Sequence, residues 1–225
     1  MSTSVDHVQL TADDGHAFDA YVARPTGKPR GAIVVVQEIF GVNSHIRSVA
    51  DGYAADGYLA IAPALFDRVE RGIELTYEAD DRARGIALMG KVDKGDALKD
   101  IAACIAYGAS AGKVGVVGYC WGGVLSWLAA VRLDGLSAAV TYYGGGMQNM
   151  ADLKARVPVM SHFGEQDAHI PVDAVRAFLA AQPEVDGYFY DADHGFNCDQ
   201  RPSYDAPSAA VARQRSLEWF GRYVG

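Results

Sequence analysis

A β-branched run at Gly115-Val116-Val117 leads into Gly118-Tyr119-Cys120-Trp121-Gly122-Gly123, and the residues that follow have helical spacing. Gly-x-Cys-x-Gly between a strand and a helix is the pattern of a nucleophile elbow with sulfur in place of a serine oxygen. The flanking positions must be small because the nucleophile sits on a strained turn, where a Cβ two residues away would crowd the neighbouring chain. A thiol held there faces the crevice beyond the strand, and the helix N-terminus behind it favours a thiolate. Two other readings compete for these glycines: a buried cysteine at a Gly-rich helix start, and a dinucleotide-binding turn. Against the second, the stretch lacks G-x-G-x-x-G and lies mid-chain, not on the first strand-to-helix turn.

A thiol nucleophile needs a base, and the base needs a group that fixes its tautomer. Downstream, Pro158 to Phe163 reads as a strand ending in Gly164-Glu165-Gln166-Asp167, and Tyr188-Phe189-Tyr190 as a last strand followed by Asp191-Ala192-Asp193-His194. The order Cys120, Asp167, His194 is the order of the catalytic triad on α/β-hydrolase folds, with His194 as base and Asp167 as its orienting acid. His169 is the rival base. Asp191 and Asp193 are rival orienters, but both lie within three residues of His194. His162, inside a predicted strand, is expected to pack, and His7, His16 and His45 sit in surface contexts.

The elements that must position these residues alternate along the chain. Strand candidates are Ala32 to Gln37, Tyr58 to Ala62, Lys113 to Val117, Ala138 to Tyr143, Val157 to Phe163 and Gly187 to Asp191. Between them Ser44 to Ala55, Asp96 to Tyr107, Trp121 to Arg132, Val172 to Ala181 and Ser208 to Tyr223 carry helical periodicity. The pattern predicts a mostly parallel sheet with helices on both faces. Val5 to Leu10 and Ala17 to Ala23 alternate around Asp14-Gly15 and predict an antiparallel hairpin at its edge. Asp67 to Gly95 is charged and shows no clear strand; a cap or gating helix fits there.

Composition bounds the function classes. The length suits a single domain over residues 1–225. The formal charge of -8, with no Lys/Arg run, argues against nucleic acid. The uncharged stretch from Val114 to Val131 is broken by four glycines in its first half, which fits a strand, a turn and a buried helix better than a membrane span. Nothing at Met1 to Leu10 resembles a secretion signal, so a cytoplasmic protein is expected. Cys104, Cys120 and Cys198 form no CxxC pair and no zinc-ligand spacing, so neither a disulfide framework nor a metal site is expected. Cys104 lies beside the apolar stripe Leu98, Ile101, Ala102, Ile105 and reads as a buried hydrophobe.

The residues resemble the dienelactone hydrolases, also called carboxymethylenebutenolidases. The resemblance is carried by Gln37-Glu38-Ile39-Phe40-Gly41-Val42-Asn43, Asp56-Gly57-Tyr58 with Ala62-Pro63, Gly112 to Gly123, Gly164 to Asp167 and His194-Gly195-Phe196. It implies an α/β-hydrolase fold and a Cys120-His194-Asp167 triad. It also implies an oxyanion hole from the backbone N–H groups of Ile39 and Trp121, and no cofactor. A further implied participant is Glu38, which in the family contacts the resting thiol and helps to deprotonate it. Two arginines hold the substrate carboxylate in the family's prototype. Here Arg82 or Arg84 stands for the first, and Cys198 occupies the second position with Arg201 three residues on. The expected partner is a small ester or lactone, and a monomer is favoured. Three readings stay open beside dienelactone hydrolysis: a small-ester or thioester hydrolase without carboxylate selectivity, a binding protein on the same fold, and a redox role for Cys120.

Overall fold

The computed structural model describes residues 4–225. Eight strands form one sheet in the order β1-β2-β4-β3-β5-β6-β7-β8. β1 (Ser4–Thr11) and β2 (Ala17–Arg24) are the edge hairpin, and β2 runs antiparallel to β4 (Leu59–Pro63). From β4 onward every pairing is parallel: β3 (Ala32–Val36), β5 (Val114–Tyr119), β6 (Leu136–Tyr142), β7 (Val159–Gly164) and β8 (Val185–Tyr190). Every residue of β3, β4 and β5 is buried, which is why these strands read as continuous apolar runs without alternation.

Helices α1 (Ser44–Ala55), α2 (Ala79–Met89), α3 (Lys94–Gly108), α4 (Trp121–Arg132), α5 (Val172–Ala181) and α6 (Ala206–Tyr223) complete the fold. α1 and α6 share one face of the sheet, joined by Tyr53 against Phe220 and by Arg213 Nη2 donating to Asp56 at 2.5 Å. On the other, Trp127 of α4 packs edge-on against Phe178 of α5, and α3 lies beside α4. Among the described residues no helix is long and apolar enough to cross a membrane; the stretch that raised the question is β5, the turn at Cys120 and the buried α4.

Most boundaries shift by one or two residues from the periodicity, and three of the shifts have a clear local reason. α3 starts at Lys94, not Asp96, because Asp93 accepts the N–H groups of Gly95 and Asp96. α6 starts at Ala206 because Asp205 caps Ser208 N–H at 2.9 Å and Pro207 is tolerated in a first turn. β6 begins at Leu136, directly after the turn that Gly135 makes at φ 83°.

β3 is the point at which the chain changes direction across the sheet: β4 lies on one side of it and β5 on the other. Loops leaving such neighbours diverge and open a crevice beyond the strand ends. The segment 67–95 covers that end. It begins in a 3-10 turn, Leu65–Arg68, and contains α2. The turn is anchored by Arg68, whose Nε and Nη2 donate to the Asp100 oxygens of α3 at 2.8 and 2.7 Å. The Asp100 carboxylate is fully buried. Removing one member of such a pair strands the other's charge, so Arg68→Met is expected to cost about 3–5 kcal/mol in urea unfolding. Arg68→Met with Asp100→Leu should recover much of that loss.

Candidate active site

Cys120 follows the last residue of β5 and holds φ 54°, ψ -115°, a left-handed conformation that is uncommon outside glycine. The glycines on either side make the turn possible. A Cβ at Gly118 would lie 1.9 Å from the carbonyl oxygen of Gly122, and one at Gly122 would lie 2.4 Å from that of Val36. The Cys120 N–H donates to Tyr142 O on the next strand at 3.0 Å, which fixes the turn against the sheet. Trp121 is the first residue of α4, so its N–H has no acceptor within that helix. Ile39 lies in the turn after β3, and β3 pairs in register with β5 as far as Val36 opposite Gly118.

β7 and β8 deliver the other two groups. The turn after β7 is tied to the turn after β8 by Glu165 N–H to Tyr190 O at 2.7 Å and Gln166 N–H to Ala192 O at 3.0 Å. Across that junction His194 Nδ1 and Asp167 Oδ2 stand 2.6 Å apart, and the Asp167 side chain is wholly buried. The other Asp167 oxygen accepts His169 N–H at 2.8 Å. With Nδ1 committed to Asp167, the ring's remaining nitrogen is the one left for Cys120, whose sulfur acts on the ring's proton affinity. Burial alone would lower the His194 pKa, but the hydrogen bonds to Asp167 and Cys120 outweigh it and raise the value to about 10.

The rivals take other positions. Asp193 accepts the His194 N–H at 2.6 Å and Asp191 accepts Gln166 Nε2 at 2.6 Å, so neither orients the ring. His169 stands edge-on to His194 with its centroid 5.8 Å away and its Nε2 3.5 Å from Arg82. His162 is buried between Tyr190 Oη at 2.8 Å and Ser216 Oγ at 3.1 Å, and burial pushes its pKa down to about 3. His45 departs from its expected surface context: it is 3% exposed.

Ile39, Cys120, Trp121, His194, Arg82 and Arg201 line one cavity of about 550 Å³, whose walls are otherwise largely apolar and include Ile86 and Met89 of α2. The mixture of an apolar enclosure and a few convergent polar groups is that of a small-molecule site. Residues 18–224 match the model of the "Dienelactone hydrolase family". A Pseudomonas putida protein named carboxymethylenebutenolidase is 34% identical over 94% of this chain and 94% of its own length. An Escherichia coli (strain K12) relative, a candidate carboxymethylenebutenolidase by name, is 37% identical over 94% of this chain and 84% of its own. A crystal structure from Klebsiella pneumoniae subsp. pneumoniae, named as a candidate dienelactone hydrolase, superposes with a TM-score of 0.85 at 31% identity, covering 99% of this chain and 100% of that one. The chain belongs to the dienelactone hydrolase family. It is thereby a carboxylic-ester hydrolase of the α/β-hydrolase fold.

The anion-binding residues expected from the family fall in different places. Arg82 reaches the cavity, whereas Arg84 Nη2 pairs with Glu70 at 2.6 Å on the surface, both side chains about half exposed. Two residues apart on α2, they cannot share a face. Cys198 is not at the cavity wall either. It is buried beside Tyr77 and Glu38, and burial followed by the Glu38 charge pushes its thiol up to about 12. Successive four-residue turns, Cys198 N–H to Gly195 O at 2.9 Å and Arg201 N–H to Cys198 O at 3.1 Å, bring Arg201 round to the cavity instead. Gly195, at φ 80°, makes room: a Cβ there would lie 2.4 Å from Arg201 Nη1.

Glu38 is fully buried, and both oxygens are engaged. Oε2 accepts Tyr77 Oη at 2.9 Å and Oε1 accepts Arg201 Nη1 at 3.3 Å. No hydrogen bond joins it to Cys120 among the described residues. Tyr77 and Gly85 are site residues that the sequence pattern did not bring out. A Cβ at Gly85 would lie 2.1 Å from Ile39 O, so this glycine lets α2 sit on the Ile39 turn; its only signal was a glycine inside a helical stretch. The raised His194 value has a signed consequence. The folded state holds this proton more tightly than the unfolded chain, whose ordinary value is 6.5, so the stabilisation is complete below about pH 6.5 and fades as pH climbs towards 10. Asp167→Asn should move the His194 NMR titration midpoint down by more than one pH unit; an unchanged midpoint would show that Asp167 does not hold the charge.

Proposed function

We propose that this chain hydrolyses the ester bond of a dienelactone or a similar small anionic lactone, with Cys120 as nucleophile, His194 as base and Asp167 as its orienting group. The observation that carries the reading is the His194 ring held between a buried Asp167 at 2.6 Å and Cys120, at a cavity that also receives the cations Arg82 and Arg201. The thiol proton passes to His194 as the sulfur attacks the lactone carbonyl carbon. The carbonyl oxygen takes up the electron pair and is met by the N–H groups of Ile39 and Trp121, aided by the α4 N-terminus. Collapse breaks the C–O bond and leaves a thioester and a ring-opened product oxygen, which takes the proton from His194. His194 then deprotonates a water that attacks the thioester; the C–S bond breaks, the sulfur recovers the proton from His194, and the single ring-opened product leaves with its new carboxyl group, which gives up its proton to solvent.

Arg82 and Arg201 suit a substrate that carries its own carboxylate. Arg201 already pairs with Glu38, so an arriving carboxylate competes for that guanidinium and releases charge on Glu38 for the thiol to respond to. This preserves the role the resemblance implies for Glu38 and places its control at Arg201.

The test is kcat/KM for a dienelactone and for a neutral aryl ester of similar size. Cys120→Ala should abolish both activities; a mutant that still turns over removes Cys120 from the chemistry. Arg82→Gln should lower the lactone value about ten- to hundred-fold, the equivalent of losing a charge-assisted hydrogen bond of ~1.5–3 kcal/mol, and spare the neutral ester. Equal loss on both substrates would favour an ester or thioester hydrolase without carboxylate selectivity, and no turnover by wild type would favour a binding protein.

A further inference from the structure

Behind Glu38, on the side away from the cavity, the fold assembles three groups that lie far apart in the sequence. Glu38 follows β3, His45 is in the first turn of α1, and Cys198 is in the loop after β8. One ligating atom from each lies within 4.8 Å of the other two, and all three residues are buried. We propose that Glu38, His45 and Cys198 form a binding site for a divalent cation of the zinc type.

The histidine supplies the independent observation. His45 Nδ1 is 3.3 Å from the exposed carboxylate of Asp199, while Nε2 is buried and has no hydrogen-bond partner. A buried ring nitrogen without a partner is costly unless something fills the place of that partner. Asp199 favours the tautomer with the proton on Nδ1, leaving the Nε2 lone pair free. A carboxylate holding one ring nitrogen of a histidine while the other is left for a metal is the usual outer support of a zinc ligand. Sulfur, imidazole and one carboxylate match zinc or cobalt, and the sulfur disfavours magnesium or calcium. Each Glu38 oxygen has a second lone pair, so the carboxylate can ligate a metal while Arg201 remains attached.

Of the three, His45 is the one that reaches a surface recess. A recess of about 290 Å³ is lined by His45, Asn197 and Asp199 and lies on the α1–α6 side of the sheet. Binding would release the Cys198 thiol proton to solvent and form one metal–sulfur bond, with a water completing a four-coordinate shell. The three ligands would then link α1 to the loop that carries His194 and Arg201.

The experiment uses the full chain carrying Cys120→Ala, stripped with a chelator, so that the thiol beside His194 cannot supply the sulfur and binding is read independently of hydrolysis. Titration with cobalt should show one equivalent bound, with a thiolate-to-metal charge-transfer band that zinc abolishes, and zinc should raise the melting temperature. Adding Cys198→Ser should remove the band. Asp199→Asn, a change at an exposed side chain that leaves the fold intact, should weaken zinc about 10–100-fold. The proposal is overturned if the Cys120→Ala protein shows no cobalt band. It is equally overturned if the band survives Cys198→Ser, or if zinc affinity is the same in Asp199→Asn.

Discussion

The structure depends on one close approach: the backbone at Gly118 and Gly122, folded around Cys120, sits directly against the end of β3. No side chain fits between Gly122 and the carbonyl of Val36. That contact sets the distance between the turn carrying Trp121 and the turn carrying Ile39, which are therefore neighbours because β3 and β5 are paired. It also holds Cys120 in a backbone conformation that would not persist without surrounding structure to impose it. The imposing structure is the buried centre of the sheet, where β3, β4 and β5 present nothing to solvent.

Around this turn the buried charges are arranged in connected pairs. Asp167 meets His194, Glu38 meets Arg201 and Asp100 meets Arg68; each carboxylate is completely covered and each has a cation or titratable base in contact. Isolated burial of any one would be prohibitive, so partner and carboxylate must be placed together by the fold. For Asp167 and His194 this is done by backbone hydrogen bonds between the turns after β7 and β8. For Glu38 and Arg201 it is done by the turns that run from Gly195 to Arg201.

The elements, and the chain order of the three candidate residues, were legible because they rest on local chemistry. β-branched runs ended by glycine gave the parallel strands, and Gly-x-Cys-x-Gly followed by an acid and a histidine after later strands located the three residues in chain order. What could not be read is where side chains turn once several segments meet. Cys198 aligns with an arginine position by counting from His194, yet the chain makes two tight turns there and Arg201 enters the cavity instead. Arg82 and Arg84 look equivalent in sequence and face different directions on α2. His45 has a polar neighbourhood in sequence, but α1 folds its first turn under the loop after β8, and only the packing of those two segments buries the ring.

The placement of Glu38 also sets two of the cysteines in different surroundings. Cys198 is near its carboxylate in a buried setting, and burial and that negative charge outweigh the charge of Arg201 and hold its thiol up to about 12. Cys120 stands at the N-terminal end of α4 and beside an imidazole whose proton is retained up to about pH 10. A helix N-terminus and an adjacent imidazolium both lower the energy of a thiolate, whereas burial beside a carboxylate raises it. Two cysteines are thus set apart, one at the cavity wall beside His194 and one buried behind it next to Glu38, by geometry that their shared residue type does not reveal.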